Sequence, residues 1–222
     1  MVIELQIMKR WVHGWLIYMR DLVNLPVMVD KEKIAIMQIV DSIISASQIS
    51  APALLPLNIA LQVKLSIQYG NTPNSAFSYS HFGAIACEYW KDVDTGVQFG
   101  QLAFQVVSKL DAKIQKPQVF CIMGFSVLHR KFHLKETLPL QQEGYTSGIE
   151  VGNLEFVGYA AHNFCLNAFW CGQPLKTVER EARNYSQALM QLNQLITYNY
   201  CRIHWQSILN LQGAAENPSI FL

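Results

Sequence analysis

Charge is scarce in this chain, and what is scarce excludes several classes of function at once. Only 15% of the 222 residues are charged while 51% are hydrophobic, against about a quarter charged in an ordinary globular protein. Such a surface needs covering by neighbouring helices or by other domains. The formal net charge is +1 and the basic runs are as short as Lys9-Arg10 and Arg130-Lys131. No positive field therefore steers the chain toward nucleic acid or an anionic membrane. Paired cysteines are missing too: Cys87, Cys121, Cys165, Cys171 and Cys201 are odd in number and widely spaced, which predicts reduced thiols in a cytoplasmic core. The N-terminus carries Glu4 early and has no apolar run ending in small residues, so it does not read as a secretory leader.

Long hydrophobic runs are also few. Ser42 to Val63 is 22 residues without a charge, but it contains Pro52, Pro56, Asn58, two glutamines and four serines. Two short helices meeting at the prolines fit it better than a membrane span.

Phosphate chemistry lacks its parts. The glycine-containing stretch GYTSGIEVG from Gly144 has no Gly-Lys-Ser/Thr and reads as a helix end. Protein-kinase strings are absent, and Arg20-Asp21 lies in an amphipathic helix without the asparagine that should follow. His129 and His133, four apart, would share one helix face as a zinc pair does. The residues between them, Arg130, Lys131 and Phe132, supply two cations and no glutamate base, so structural histidines are expected. Cys87 with His81, and Cys165 with His162, are spaced for nucleophilic pairs, yet each thiol sits among bulky apolar residues that suppress reactivity. Asp92 and Asp94 in WKDVDTG read as a turn and an N-cap. No cofactor and no catalytic residue is expected.

What is present is helix after helix. Apolar residues recur at three- and four-residue spacing almost throughout, and clean alternation is rare. The expectation is an all-α fold. A first helix covers about Glu4 to Leu25, stopped by Pro26, and Asp30 caps a second over Lys31 to Ser47. A third opens at Pro52 and ends near Gly70, after which Thr72-Pro73 restarts the chain. Helices then begin near Pro73, Pro117 and Asn153, each rich in small and aromatic residues. Each is followed by a partner near Asp94, Leu134 and Pro174. Units about 35 to 45 residues apart predict stacked antiparallel hairpins, a TPR-like α-solenoid. Gly83, Gly100, Gly124 and Gly158 are the expected points of close approach, since a glycine inside a helix costs about 1 kcal/mol against alanine and needs a compensating contact. The last long helix, from Pro174, breaks near Asn193 and resumes over Tyr198 to Leu211, and Gly213 ends the pattern. The chain thus divides into N-terminal helices over 1–70, helical pairs over 71–213, and the start of a further unit over 214–222.

Three stretches carry a resemblance: QYGNTPNSAFSYSHFGAIACEYWKDVDTGVQFGQLAF, LQQEGYTSGIEVGNLEFVGYAAHNFC and the terminal LNLQGAAENP. With NLPVMVDKEKIAIMQIV near the start, they make the chain resemble the helical middle region of the large hybrid signalling proteins abundant in cyanobacteria. Those proteins join a serine/threonine kinase, a STAND-type AAA ATPase, a GAF domain and a sensor histidine kinase. None of their kinase or ATPase residues maps onto this sequence. The resemblance implies a regulatory, protein-interaction scaffold coupling an ATPase switch to kinase modules, with neighbouring modules or a partner segment as partners. Tyr79, Phe99, Tyr145 and Tyr185 are the candidate partner-binding residues. Two other readings remain open from sequence: a small helical metal-binding protein or enzyme using His129 and His133, and a remnant without independent function.

Overall fold

A computed structural model of the chain describes residues 19–219, with side chains from residue 21 onward. These residues form ten α-helices and no strand, with a single bridge between Val27 and Asn71. The expected all-helical class is what the chain adopts. Of the first expected helix, only α1 (Met19–Leu22) is described; its earlier part lies outside the described residues.

Local chemistry sets the elements. Asp30 Oδ1 accepts from the backbone N–H groups of Glu32 at 3.0 Å and Lys33 at 3.2 Å, satisfying donors that a helix start leaves orphaned. This opens α2 (Lys31–Ser50). A turn at Pro52 separates it from α3 (Leu55–Tyr69), where Pro56 occupies the first helical turn and its missing N–H costs nothing. The uncharged stretch is thus two helices meeting at prolines. Among the described residues no helix is long and apolar enough to cross a membrane.

Gly70, at φ 104°, ends α3 where a Cβ would strike the Pro26 carbonyl. Thr72 and Pro73 then start α4 (Pro73–Tyr89), with Ser75 Oγ accepting from the Thr72 N–H at 2.9 Å. Asp92 caps α5 (Val93–Lys109) by accepting from the Thr95 N–H at 3.1 Å and hydroxyl at 2.8 Å. α6 (Lys116–Ile122) runs on as a π-helical turn over Met123–Val127 and a 3-10 turn over Leu128–Arg130. A second 3-10 turn, Leu134–Thr137, leads into α7 (Leu138–Val151). α8 (Leu154–Trp170), α9 (Leu175–Gln191) and α10 (Leu195–Gln212) follow. Gly152, Asn193 and Gly213 close α7, α9 and α10 at φ 73°, 57° and 65°. These are the left-handed stops expected of such residues. The described part of the tail, 214–219, is not helical, and Asn210 Nδ2 donates to the Pro218 carbonyl at 3.3 Å.

From α2 onward consecutive helices pack on one another, while α1 packs on α5, and alternate helices also meet: α2 on α4, α4 on α6, α6 on α8, α8 on α10. The last four begin at residues 73, 116, 154 and 195, a period of about 40 residues. Small residues let them approach. A Cβ on Gly83 would lie 2.6 Å from the Gly96 carbonyl oxygen, Gly100 faces Met123, Gly124 faces Gln141, and Gly158 faces Thr197.

The apolar interior forms one large cluster centred on α4, reaching from Ile44 and Ile59 through Phe77 and Phe82 to Phe156. A second cluster joins α7 to α10 around Phe164, Leu189 and Ile208. α8 contributes to both, and the large cluster crosses residue 70. α4 is buried on nearly every side, which explains why its sequence shows no polar stripe.

Candidate functional site

The alternate helices converge on one pocket. Ser45 and Ile49 of α2, His81 of α4, Cys121 of α6, His162 of α8 and Tyr200 of α10 are among its lining residues, around a cavity of about 220 Å³. Phe125, in the π-helical turn, lines it as well. Ile49 at 73%, Phe125 at 44% and Tyr200 at 42% exposure form an apolar rim. Among the described residues no Asp, Glu, Lys or Arg contributes to the lining.

Burial controls the chemistry inside. His81 Nδ1 lies 3.4 Å from the Phe77 carbonyl oxygen, and its ring meets Phe77 edge-on at 4.3 Å. Desolvation pulls His81 down to about 4, so it is neutral near pH 7. His162 is likewise pulled down to about 4, first by desolvation and then by His204, on which it stacks at 5.2 Å. Among the described residues, His162 Nδ1 is buried without a hydrogen-bond partner. Cys121 Sγ accepts from Asn163 Nδ2 at 3.3 Å, while desolvation pushes its thiol up to about 12. It is therefore a neutral thiol, poor both as nucleophile and as metal ligand.

The residues singled out from sequence lie elsewhere. Tyr79 is 0% and Phe99 2% exposed, so both are core residues rather than faces open to a partner. The Tyr79 hydroxyl donates to Asn71 Oδ1 at 2.9 Å, and its ring packs 6.1 Å from Phe99. Helix faces lined by small residues approach too closely to leave these rings outside. Tyr145 and Tyr185 are half-buried and meet edge-on at 5.0 Å, joining α7 to α9. They brace the second cluster.

His129 and His133 do not share a helix face. The helix ends before them: His129 falls in the 3-10 turn Leu128–Arg130, while His133 caps the next turn, its Nδ1 accepting from the Lys135 N–H at 3.1 Å. Gln141 Nε2 donates to the Cys121 carbonyl at 3.2 Å and lies against Gly124. A carbonyl engaged by a side chain accompanies a locally widened helical ladder, and regular i, i+4 spacing is lost downstream. His129 lines a separate cleft of about 390 Å³ with Arg130 and Trp170. Among the described residues no three His, Cys, Asp or Glu side chains are grouped to hold a metal ion. The proposed cysteine pairs also part. Cys87 packs toward Gly96 of α5 while His81 lines the pocket, and Cys165 hydrogen-bonds with Cys201 while His162 stacks on His204.

A larger cleft of about 700 Å³ lies between α5, α6 and α7. Its lysines are engaged, Lys113 with Asp111 at 3.3 Å and Lys116 with Glu143, and such exposed pairs are worth little. Among the described residues Nδ1 of His129, beside the cleft of about 390 Å³, and Nδ1 of His162 are both buried without a partner, and His162 lines the smaller pocket. One signal for it was present in the sequence: His81, Cys121, His162 and Tyr200 recur about 40 residues apart, the unit period itself. They fall on the alternate helices α4, α6, α8 and α10.

Fold and pocket together define an all-helical chain with a cavity lined, among the described residues, by uncharged side chains from alternate helices. No protein-family model matches it, and no solved structure matches. Among curated proteins it is similar to the hybrid signal transduction histidine kinase G of Dictyostelium discoideum, at 24% identity over 153 residues. That match covers 68% of this chain and 4% of the kinase. The chain spans a small part of a far longer relative, and the kinship supported is a distant one to signal transduction.

Proposed function

We propose that this chain is a non-catalytic, cytoplasmic scaffold of a multidomain signalling kinase. Its helical pairs stack as a TPR-like solenoid that couples a nucleotide switch to sensor and kinase modules. The observation that carries this reading is the pocket lined by α2, α4, α6, α8 and α10. Whatever fills it bears on five helices at once, and each of those helices packs on its neighbours in the series. Binding at one place is thereby felt along the length of the array, as a coupling element requires. The similarity to a hybrid histidine kinase supports the same context.

An antibody raised against the chain, applied to a lysate of the source organism, is expected to detect a band far above 25.2 kDa. Excising the segment from that larger protein is then expected to uncouple kinase output from its signal while leaving basal autophosphorylation. A native band at the mass of the chain alone would overturn the connecting role.

A further inference from the structure

The pocket presents two features that select a ligand class. Its walls are aromatic, with Phe77, Phe125, Phe156, Tyr159 and Tyr200 around the cavity. Its polar groups are neutral and left with unused capacity. His81 Nδ1 faces the Phe77 carbonyl oxygen at 3.4 Å; a carbonyl only accepts, so Nδ1 carries the proton and Nε2 keeps its lone pair. His162, on the α8 wall, has a buried Nδ1 without a partner among the described residues. Unpaired polar groups in an apolar cavity weaken a fold unless something pairs with them.

A charged ligand would enter this cavity without a counter-ion and lose its hydration uncompensated. A cavity of about 220 Å³ has room for one or two fused rings.

We propose that this pocket binds a neutral planar aromatic molecule carrying one N–H or O–H donor, of the indole or phenol class. The ring lies among the aromatic walls and the donor bonds to His81 Nε2. The inference rests on the reading of this pocket as the chain's binding site, and it does not require the kinase context.

The test is calorimetric titration of the purified 222-residue chain with indole, phenol, toluene and benzoate at pH 7. Saturable one-to-one binding of indole and phenol is expected, with toluene weaker and benzoate not binding. His81→Phe keeps the ring volume and removes the acceptor. It should weaken indole binding about tenfold, the size of one lost hydrogen bond, while leaving toluene within about twofold. Ser45→Phe fills the cavity from its half-exposed rim and should abolish binding of all the aromatic probes. No saturable indole binding at millimolar concentration would overturn the proposal, and so would benzoate binding as tightly as indole or an unchanged indole affinity in His81→Phe. Should His81→Phe fail to fold, Ser45→Phe and the shift of the wild-type His81 ring resonances on adding indole decide the matter, an unshifted ring counting against it. A native band at the chain's own mass would remove the connecting role without touching this result.

Discussion

Around the pocket and the first core, burial lowers the histidines and raises a carboxyl. His81 and His162 fall to about 4 and His204 is lowered, in each case first by desolvation. Asp41 is raised to about 6, again first by desolvation, which outweighs the lowering by hydrogen bonds from Asn74 and Gln62. Between about pH 6.5 and 4 the unfolded chain protonates histidines that the folded chain keeps neutral, so the unfolded state binds more protons and stability falls on acidification. Asp41 opposes this: from about pH 4 to 6 the folded chain holds a proton that the unfolded chain has released, so its contribution is lost as pH rises through 6. Three groups outweigh one. The urea midpoint should fall between pH 7 and pH 5, and His81→Phe should flatten that slope. Asp41→Asn should raise stability at pH 7 by about 1–3 kcal/mol, since it removes a carboxylate held against its preference. A lower midpoint for that variant at pH 7 would mean the carboxylate is stabilised by partners after all.

At the scale of elements, what was legible was punctuation. Asp30, Thr72-Pro73 and Gly213 act through backbone chemistry local to a few residues, and each sits at the boundary its type implied, whereas at WKDVDTG it is Asp92, two residues before Asp94, that caps the helix. The break after α6 was not legible, because FSVLHRKFH keeps an apolar spacing compatible with continuous helix. The interruption coincides with Gln141, a side chain from the following helix bonded to the Cys121 carbonyl. The pocket was hidden for a related reason: its residues come from five helices, and His81 lies within SYSHFGAIA, a string that reads as packing. Tyr79 and Phe99 were misplaced because period alone does not separate a concave face from the interior of a fully buried helix. Glycine contacts were readable, and they can be tested as pairs. Gly158→Ala places a Cβ into Thr197 and should cost about 1–3 kcal/mol by overpacking. Thr197→Ala in the same chain removes the atoms it would strike and should recover most of that loss, a coupling visible in a double-mutant cycle of urea midpoints. Additive losses would show that α8 and α10 do not meet there.

Across the whole molecule, stability is distributed unevenly. α4 is buried on nearly all sides and sits at the centre of the larger cluster, whereas α9 and α10 belong to the second cluster alone. α10 also leaves Ile196, Ile203 and Leu211 exposed along one side. Helices that chiefly contact their neighbours open from the ends inward, because an end unit is held by one interface and a middle unit by two. Native-state hydrogen exchange should therefore find the slowest amides in α4 and a lower-energy opening confined to α9 and α10. The two regions touch through α8 and through the pocket, where Tyr200 of α10 meets His162 of α8 at 5.1 Å. A ligand seated beside Tyr200 adds a second interface to the end helix, so saturating indole should slow exchange in α10 more than in α5, which does not line the pocket. Equal slowing in α5 and α10 would mean that the array opens as one cooperative block, and coupling along it would then be global rather than passed from helix to helix.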